Sequence, residues 1–422
     1  MSRFRQALGY GALEQVALRV LDFLTLWIVL HTLPEADLAS YGVATGMLFL
    51  FNVALVTPES ALLRDRVKWA AAGELDSHLK AFLLFAELRI LFLAVLAATV
   101  AWVSGTDGVV FYACALSLIA QTIQLAEIAR IDFRADLRQK TILATELPLK
   151  ALLLALAALL FLAPGLANYL LIYLAWAVIG ALAWLRRMRR RHGVGFNLEW
   201  RGLARIRAVM ADFSLWQHLA WLVTCVVFNI DPWVLTWFSA DTATVATYTL
   251  ALKVAWMFLM APVFLQTMTG ILLLNSQSEA QRQRVFRGML GLNAGVSLAQ
   301  FLFFVLAGEW IGHLFRGGDL DARLFVELGF ILNLGGLALN LVRPFIAELT
   351  LRGDMRRLLL TLYLPVLAVG GAGYLALTPW LGAPGCAAAS ALAYLVFALL
   401  TLYHAAQGLA RPAAPRPGLQ HP

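Results

Sequence analysis

The chain is a succession of apolar runs, each about twenty residues long, separated by short polar or basic connections. Runs of that length cross the ~30 Å hydrocarbon core of a bilayer as helices. The pattern predicts them near 12–32, 39–63, 81–103, 109–130, 141–163, 167–185, 213–238, 246–274, 285–307, 324–347, 357–378 and 384–405. A transmembrane barrel needs apolar and polar residues to alternate along every strand, and that alternation is missing. The expectation is an all-α polytopic membrane protein with about 12 transmembrane helices. Composition strengthens it: hydrophobic residues make up 61% of the 422 and charged residues 14%, with a mean hydropathy of +0.77. Water-soluble globular domains do not reach such values.

Basic residues then set orientation, because short loops rich in Lys and Arg stay on the cytoplasmic side. With the N-terminus inside, the inner segments hold Arg64, Arg66, Lys68 and Lys80, then Arg130, Arg134, Arg138 and Lys140, then the block from Arg186 to Arg191. Further inner segments hold Arg282, Arg284 and Arg287, then Arg352, Arg356 and Arg357. The outer loops hold only Arg316 and Arg323. Both termini are therefore expected in the cytoplasm. The net charge of +8 reads as this topology signal. A nucleic-acid partner is not expected, since no soluble domain gathers the charge. Cys114, Cys225 and Cys386 fall within spans and read as packing residues, and the histidines are scattered, so no metal site or cofactor is expected. The first span follows Arg3 and Arg5, yet it contains Glu14, Arg19 and Asp22 and ends without a small-residue cleavage site. It reads as a retained helix.

The longest polar connection, RRMRRRHGVGFNLEWRGLARIRAVMADF, divides the chain into an N-terminal six-helix bundle (1–194), a linker (195–212) and a C-terminal six-helix bundle (213–409), followed by a proline-rich tail (410–422) expected to be disordered. In the linker Phe196, Trp200, Leu203, Ile206, Met210 and Phe213 recur every three or four residues, with Arg201, Arg205 and Arg207 between them. This is either an amphipathic helix on the inner leaflet or a basic connection that only sets topology.

The halves resemble each other. ADLASYGVATGM at the start of span two aligns with ATVATYTLALKV at the start of span eight, pairing Ala36 with Ala243, Ala39 with Ala246 and Tyr41 with Tyr248. A two-residue gap then sets Asp22 opposite Asp231. Kinks are also expected to recur, at Pro58 late in span two and Pro262 late in span eight. Because both halves begin inside, the repeat is parallel, with its axis along the membrane normal and the bundles facing each other across a central cleft.

An ionisable group at membrane depth costs about 2.5–3.5 kcal/mol on insertion scales, which makes each one a candidate for function. The spans carry Glu14, Arg19, Asp22, Glu59, Glu87, Arg89, Glu127, Glu146, Lys150, Asp231, Lys253, Arg343 and Glu348. Glu146 and Lys150 stand four apart, and Arg19 and Asp22 three apart, so local pairing is expected for each couple. A hydrated central space accounts better for so many charges. Span seven adds Asp231-Pro232 in mid-segment. Proline frees the carbonyl near Phe228, so a bend toward the cleft is expected there, with Asp231 paired to Lys253 at similar depth.

On these residues the chain resembles the multidrug/oligosaccharidyl-lipid/polysaccharide exporter superfamily, and within it the bacterial polysaccharide-biosynthesis flippases. The resemblance runs from LGYGALEQVALRVLDFLTLWIVLHTLPEADLASYGVATGMLFLFNVALVTPES to FSLWQHLAWLVTCVVFNIDPWVLTWFSADTATVATYTLALKVAWMFLMAPV, with Asp231 before a short turn and Tyr248 opening span eight. The proline after Asp231 departs from the family pattern. The resemblance implies a transporter, not an enzyme, in the bacterial cytoplasmic membrane. Its cargo would be a lipid-linked oligosaccharide for O-antigen, lipopolysaccharide or exopolysaccharide, and its partners membrane lipids and other polysaccharide-assembly membrane proteins. Arg19, Arg89, Lys150 and Lys253 are the candidate phosphate-binding cations, and Asp22, Glu59 and Asp231 the candidates for ion coupling or gating. No G-x-x-x-x-G-K-S/T motif is present, so a gradient or the membrane potential is expected to drive transport. A multidrug exporter of the same superfamily remains an alternative, as does a membrane glycan polymerase or ligase.

Overall fold

A computed structural model describes residues 3–409 apart from 54, 57–59, 137, 195–202, 275, 277, 317–320 and 353. Pro58, Glu59, Phe196, Trp200, Arg201 and the proline-rich tail lie outside the described residues. Among those described, all regular structure is helical. The first bundle comprises α1 (Arg3–Thr32), α2 (Glu35–Gly46), α3 (Leu48–Asn52), α4 (Ser60–Ala71), α5 (Leu75–Ser104), α6 (Val109–Ala135), α7 (Gln139–Ala157) and α8 (Leu166–His192). In a short α9 (Leu203–Val209), Ile206 is buried and Arg205 and Arg207 are exposed. The second bundle follows: α10 (Leu215–Asn229), α11 (Asp231–Trp237), α12 (Thr242–Leu274), α13 (Glu279–Arg316), α14 (Ala322–Leu341), α15 (Arg343–Arg352), α16 (Met355–Leu358) and α17 (Leu364–Leu409).

These elements make twelve passages among the described residues. Eight helices are long and apolar enough to cross a membrane, and the bent pair α10–α11 is a ninth. The run from α16 through α17 supplies two, because it doubles back at Gly382, whose φ of 62° and ψ of −135° are open to glycine alone. Its two arms lie antiparallel: the Tyr374 hydroxyl meets Ser390 Oγ at 2.9 Å, and Thr361 Oγ1 meets His404 Nε2 at 3.0 Å. The remaining passages are α1 and the broken passage α2–α3–α4.

The span expected over 39–63 is divided among α2, α3 and α4. Helix α3 ends at Asn52, Leu55 and Val56 are not helical, and α4 begins at Ser60. Carbonyls freed at membrane depth need donors. Arg89 of α5 supplies one, its Nη1 donating to Val56 O at 2.6 Å, and His218 Nε2 of α10 lies 3.1 Å from Asn52 O. The Asn52 side chain is held by Gln121, whose Nε2 donates to Oδ1 at 2.8 Å, and by Ser117 Oγ at 3.2 Å. In the second repeat, by contrast, α12 runs unbroken through Pro262.

Helices α1–α8 pack chiefly on one another, as do α10–α17, and the bundles meet where α2 lies against α12 and α11. Gly42 of α2 touches Thr249 of α12 so closely that an added Cβ would lie 2.0 Å from Thr249 Oγ1. These are the same position in the two repeats. Equivalent residues touch each other only on a two-fold axis, so this contact marks where the axis passes. Four residues on, a Cβ at Gly46 would lie 2.8 Å from Asn229 O. The same end of the molecule is closed by Trp27 Nε1 donating to Leu314 O at 2.7 Å and by His31 Nδ1 at 3.2 Å from Phe315 O. We call it the turn end, after the α1–α2 and α11–α12 turns, and the opposite one the linker end.

Candidate functional site

Span seven behaves as the Asp231-Pro232 pair dictates. Helix α10 stops at Asn229, and α11 leaves at 58° to it, against α2 of the other bundle. The Phe228 carbonyl receives a hydrogen bond from Trp256 Nε1 at 3.3 Å, so the proline leaves no orphan acceptor there.

The two repeat-related aspartates have opposite surroundings. Asp231 is 0% exposed. Tyr248 donates to its Oδ2 at 2.8 Å, Ser390 Oγ to the same oxygen at 2.8 Å, and Tyr374 to Oδ1. The carboxylate thus ties α11, α12 and both arms of α17 together with charge-assisted bonds. The expected ion pair with Lys253 does not form, because hydroxyls occupy Asp231 completely. Sealed inside its bundle, Asp231 shares no chamber with the other charges.

Asp22 lies open. Its Oδ2 meets Arg19 Nη1 at 3.1 Å and its Oδ1 meets Lys150 Nζ at 2.6 Å; the side chains of Arg19, Asp22 and Lys150 are 40%, 22% and 18% exposed. The Arg19–Asp22 pair forms as expected. The Glu146–Lys150 pair does not, since α7 turns Lys150 toward α1 and Glu146 toward α6 and α8. Glu146 Oε1 takes Arg130 Nε at 3.1 Å and Trp184 Nε1 at 2.6 Å. Glu127 holds Arg130 and Arg134, each at 2.9 Å, and Arg134 reaches Glu14 at 3.8 Å. This second group counts three carboxylates to two cations. The triad counts two cations to one carboxylate and so carries a positive excess.

One member of the triad reaches the other bundle. Arg19 Nη1 also reaches Met260 Sδ of α12 at 3.0 Å. Lys150 Nζ lies 4.7 Å from the centre of the Trp176 ring, which is itself fixed by its Nε1 donating to Leu149 O at 2.7 Å. Lys253 crosses the bundle boundary in the opposite sense: Nζ lies 3.4 Å from Thr45 Oγ1 and 4.7 Å from the Tyr41 ring centre, both on α2. No carboxylate faces Lys253 among the described residues. Arg89 stands apart from the triad, buried against the Phe85 ring and the broken backbone of span two. Glu59 lies outside the described residues. At the turn before α12, the Thr244 backbone N–H and hydroxyl hold the Asp241 carboxyl below its ordinary range.

Two arrangements escape sequence reasoning. Tyr374 and Ser390 reach Asp231 from far along the chain, with no spacing signal. Arg130 and Arg134 act as topology markers in the sequence but turn inward to carboxylates.

No family model and no curated protein matches the chain. Solved structures do. A lipid II flippase, MurJ, in an inward closed conformation is similar over 93% of this chain and 87% of that one, with a TM-score of 0.68 and 13% identity. The chain has the fold of the MOP-superfamily transporters. The MATE transporter VcmN of Vibrio cholerae is similar over 96% of each chain, TM-score 0.66, 13% identity. A MOP superfamily transporter from Pyrococcus furiosus is similar over 97% and 95%, TM-score 0.65, 14% identity. At that identity the MOP fold is what is shared: two helical bundles about a cleft.

Proposed function

We propose that this protein is an alternating-access transporter that carries a polyprenyl-pyrophosphate-linked oligosaccharide across the bacterial cytoplasmic membrane for surface polysaccharide assembly. The observation that supports this reading is the positive triad of Arg19, Lys150 and Asp22, partly exposed and reaching the second bundle through the contact of Arg19 with Met260. A pyrophosphate group must find cations at membrane depth, and a glycan must find water; one partly exposed cationic site that reaches both bundles serves both needs. The basic segments assign the linker end to the cytoplasm, so the cargo loads from inside while the turn end is shut. Separation of α2 from α12 would then open the opposite side. Lys253, which has no carboxylate partner among the described residues, is the cation from the second bundle that joins the site, and Asp22 is its ion-coupling group. Arg89 and Asp231 hold the helices in place.

MurJ is described as a lipid II flippase, which favours a lipid-linked cargo; the MATE relatives favour a second reading, an ion-coupled multidrug exporter. Depletion of the protein followed by extraction of membrane lipids separates them. Accumulation of a polyprenyl-linked oligosaccharide on the cytoplasmic face is expected. Unchanged lipid intermediates with altered drug sensitivity would transfer the assignment to the exporter.

A further inference from the structure

Asp22 is held by cations alone among the described residues, unlike Glu146 or Asp231. Glu146 has an indole N–H as well as a guanidinium, and Asp231 has three hydroxyls. Among the described residues, the only groups within bonding distance of the Asp22 oxygens are Arg19 and Lys150, one cation to each oxygen. No backbone N–H or hydroxyl of the described residues anchors it.

The two cations, by contrast, have supports of their own. Lys150 rests over the Trp176 ring, which is fixed to Leu149 O, and Arg19 touches Met260 across the boundary. If the carboxylate swings away, both cations keep their places and an anion-sized position opens between them. The bridging geometry, one oxygen to each cation, is also the one a phosphate group presents.

We infer that Asp22 is a built-in competitor for the phosphate of the cargo: it occupies the anion position between Arg19 and Lys150, yields to the arriving phosphate, and recloses on both cations to expel it. The inference rests on the reading of the cargo as a pyrophosphate-bearing lipid. It also answers a problem that such a cargo poses. A transporter must bind well enough to load yet weakly enough to release, and a dianion on two buried-edge cations would otherwise stay. When the closed triad dominates, apparent affinity falls by the fraction of molecules whose site is open.

The test uses the full-length protein in detergent with farnesyl pyrophosphate as the probe and farnesol as the uncharged control. Asp22→Asn is expected to bind farnesyl pyrophosphate about tenfold more tightly than the wild type, as removal of a competitor present in roughly nine molecules of ten would give. Asp22→Glu, which keeps the competing charge, is expected to bind like the wild type, and Lys150→Gln to bind more weakly. In transport, Asp22→Asn should lower both the half-saturating concentration and the maximal rate, whereas a purely structural ion pair would give weaker binding on loss of Asp22. Equal or weaker binding by Asp22→Asn overturns the competitor and leaves the cargo reading intact. Should that variant fail to fold, Asp22→Ser takes its place with the same expectation. No binding of farnesyl pyrophosphate above that of farnesol, in wild type and variants alike, overturns the cargo reading and the competitor with it.

Discussion

A single methyl group at Gly42 should tilt the protein toward its opposite state. In the closed turn end, a Cβ at this position would lie 2.0 Å from Thr249 Oγ1 and 3.0 Å from Thr249 Cβ and Cγ2. Thr249 cannot easily give way, since it is fully buried and its hydroxyl donates to Val245 O at 2.8 Å. Helices α2 and α12 therefore have to part by on the order of 1 Å before ordinary contact returns. Overpacking of this kind costs about 1–3 kcal/mol. The cost falls only on the state in which the helices touch, so ~2 kcal/mol shifts the population toward the parted state by about thirtyfold. Spin labels at Glu35→Cys and Thr242→Cys, on the paired turns and in a Cys225→Ser background, report the separation directly. Gly42→Ala should lengthen the main distance, and adding Thr249→Ala should restore most of the original distribution. An unchanged distribution in Gly42→Ala, or no recovery in the double variant, would refute a closing contact on the pseudo-two-fold axis.

Two further outcomes follow from the second bundle. Asp231→Ala leaves the hydroxyls of Tyr248, Tyr374 and Ser390 without their shared acceptor and should cost on the order of 3 kcal/mol; Asp231→Asn, which keeps one oxygen, should cost less and retain transport. Thermal unfolding in detergent checks this, and an Ala variant as stable as the Asn variant would contradict the staple. Gly382→Ala should cost about 1–3 kcal/mol through its backbone alone, because nothing lies within 4 Å of an added Cβ. Val or Ser at the same position should then cost at least as much, and an undisturbed melting temperature in all of them would show that the bend does not depend on glycine.

What the sequence made legible follows from the solvent. Apolar runs such as 81–103 and 285–307 become α5 and α13 because a helix is how a chain satisfies its backbone in hydrocarbon. The alignment of Gly42 with Thr249 turns out to be a contact, since a parallel repeat must bring some equivalent positions together on its axis. Helical spacing succeeds for Arg19 with Asp22, which pair within α1. It fails for Glu146 with Lys150, because neighbours on α1, α6 and α8 compete for the same groups and lie closer than one turn of α7. Depth alone fails for Asp231 and Lys253: similar levels in the membrane do not decide which way each side chain faces, and tyrosine and serine hydroxyls more than a hundred residues away took the carboxylate first. The break in span two was hidden for the same reason. Its freed carbonyls depend on Arg89 and His218, whose arrival only the fold reveals.

The account turns on cations between the bundles carrying a pyrophosphate through the membrane. Reconstitution into liposomes with a fluorescent polyprenyl-pyrophosphate-linked oligosaccharide, and measurement of its appearance in the opposite leaflet, tests that most directly. The wild type should move the lipid, and Lys150→Gln or Arg19→Gln should slow it at least tenfold at unchanged protein stability. Equal movement by wild type and both variants, or no movement beyond protein-free liposomes, would contradict it.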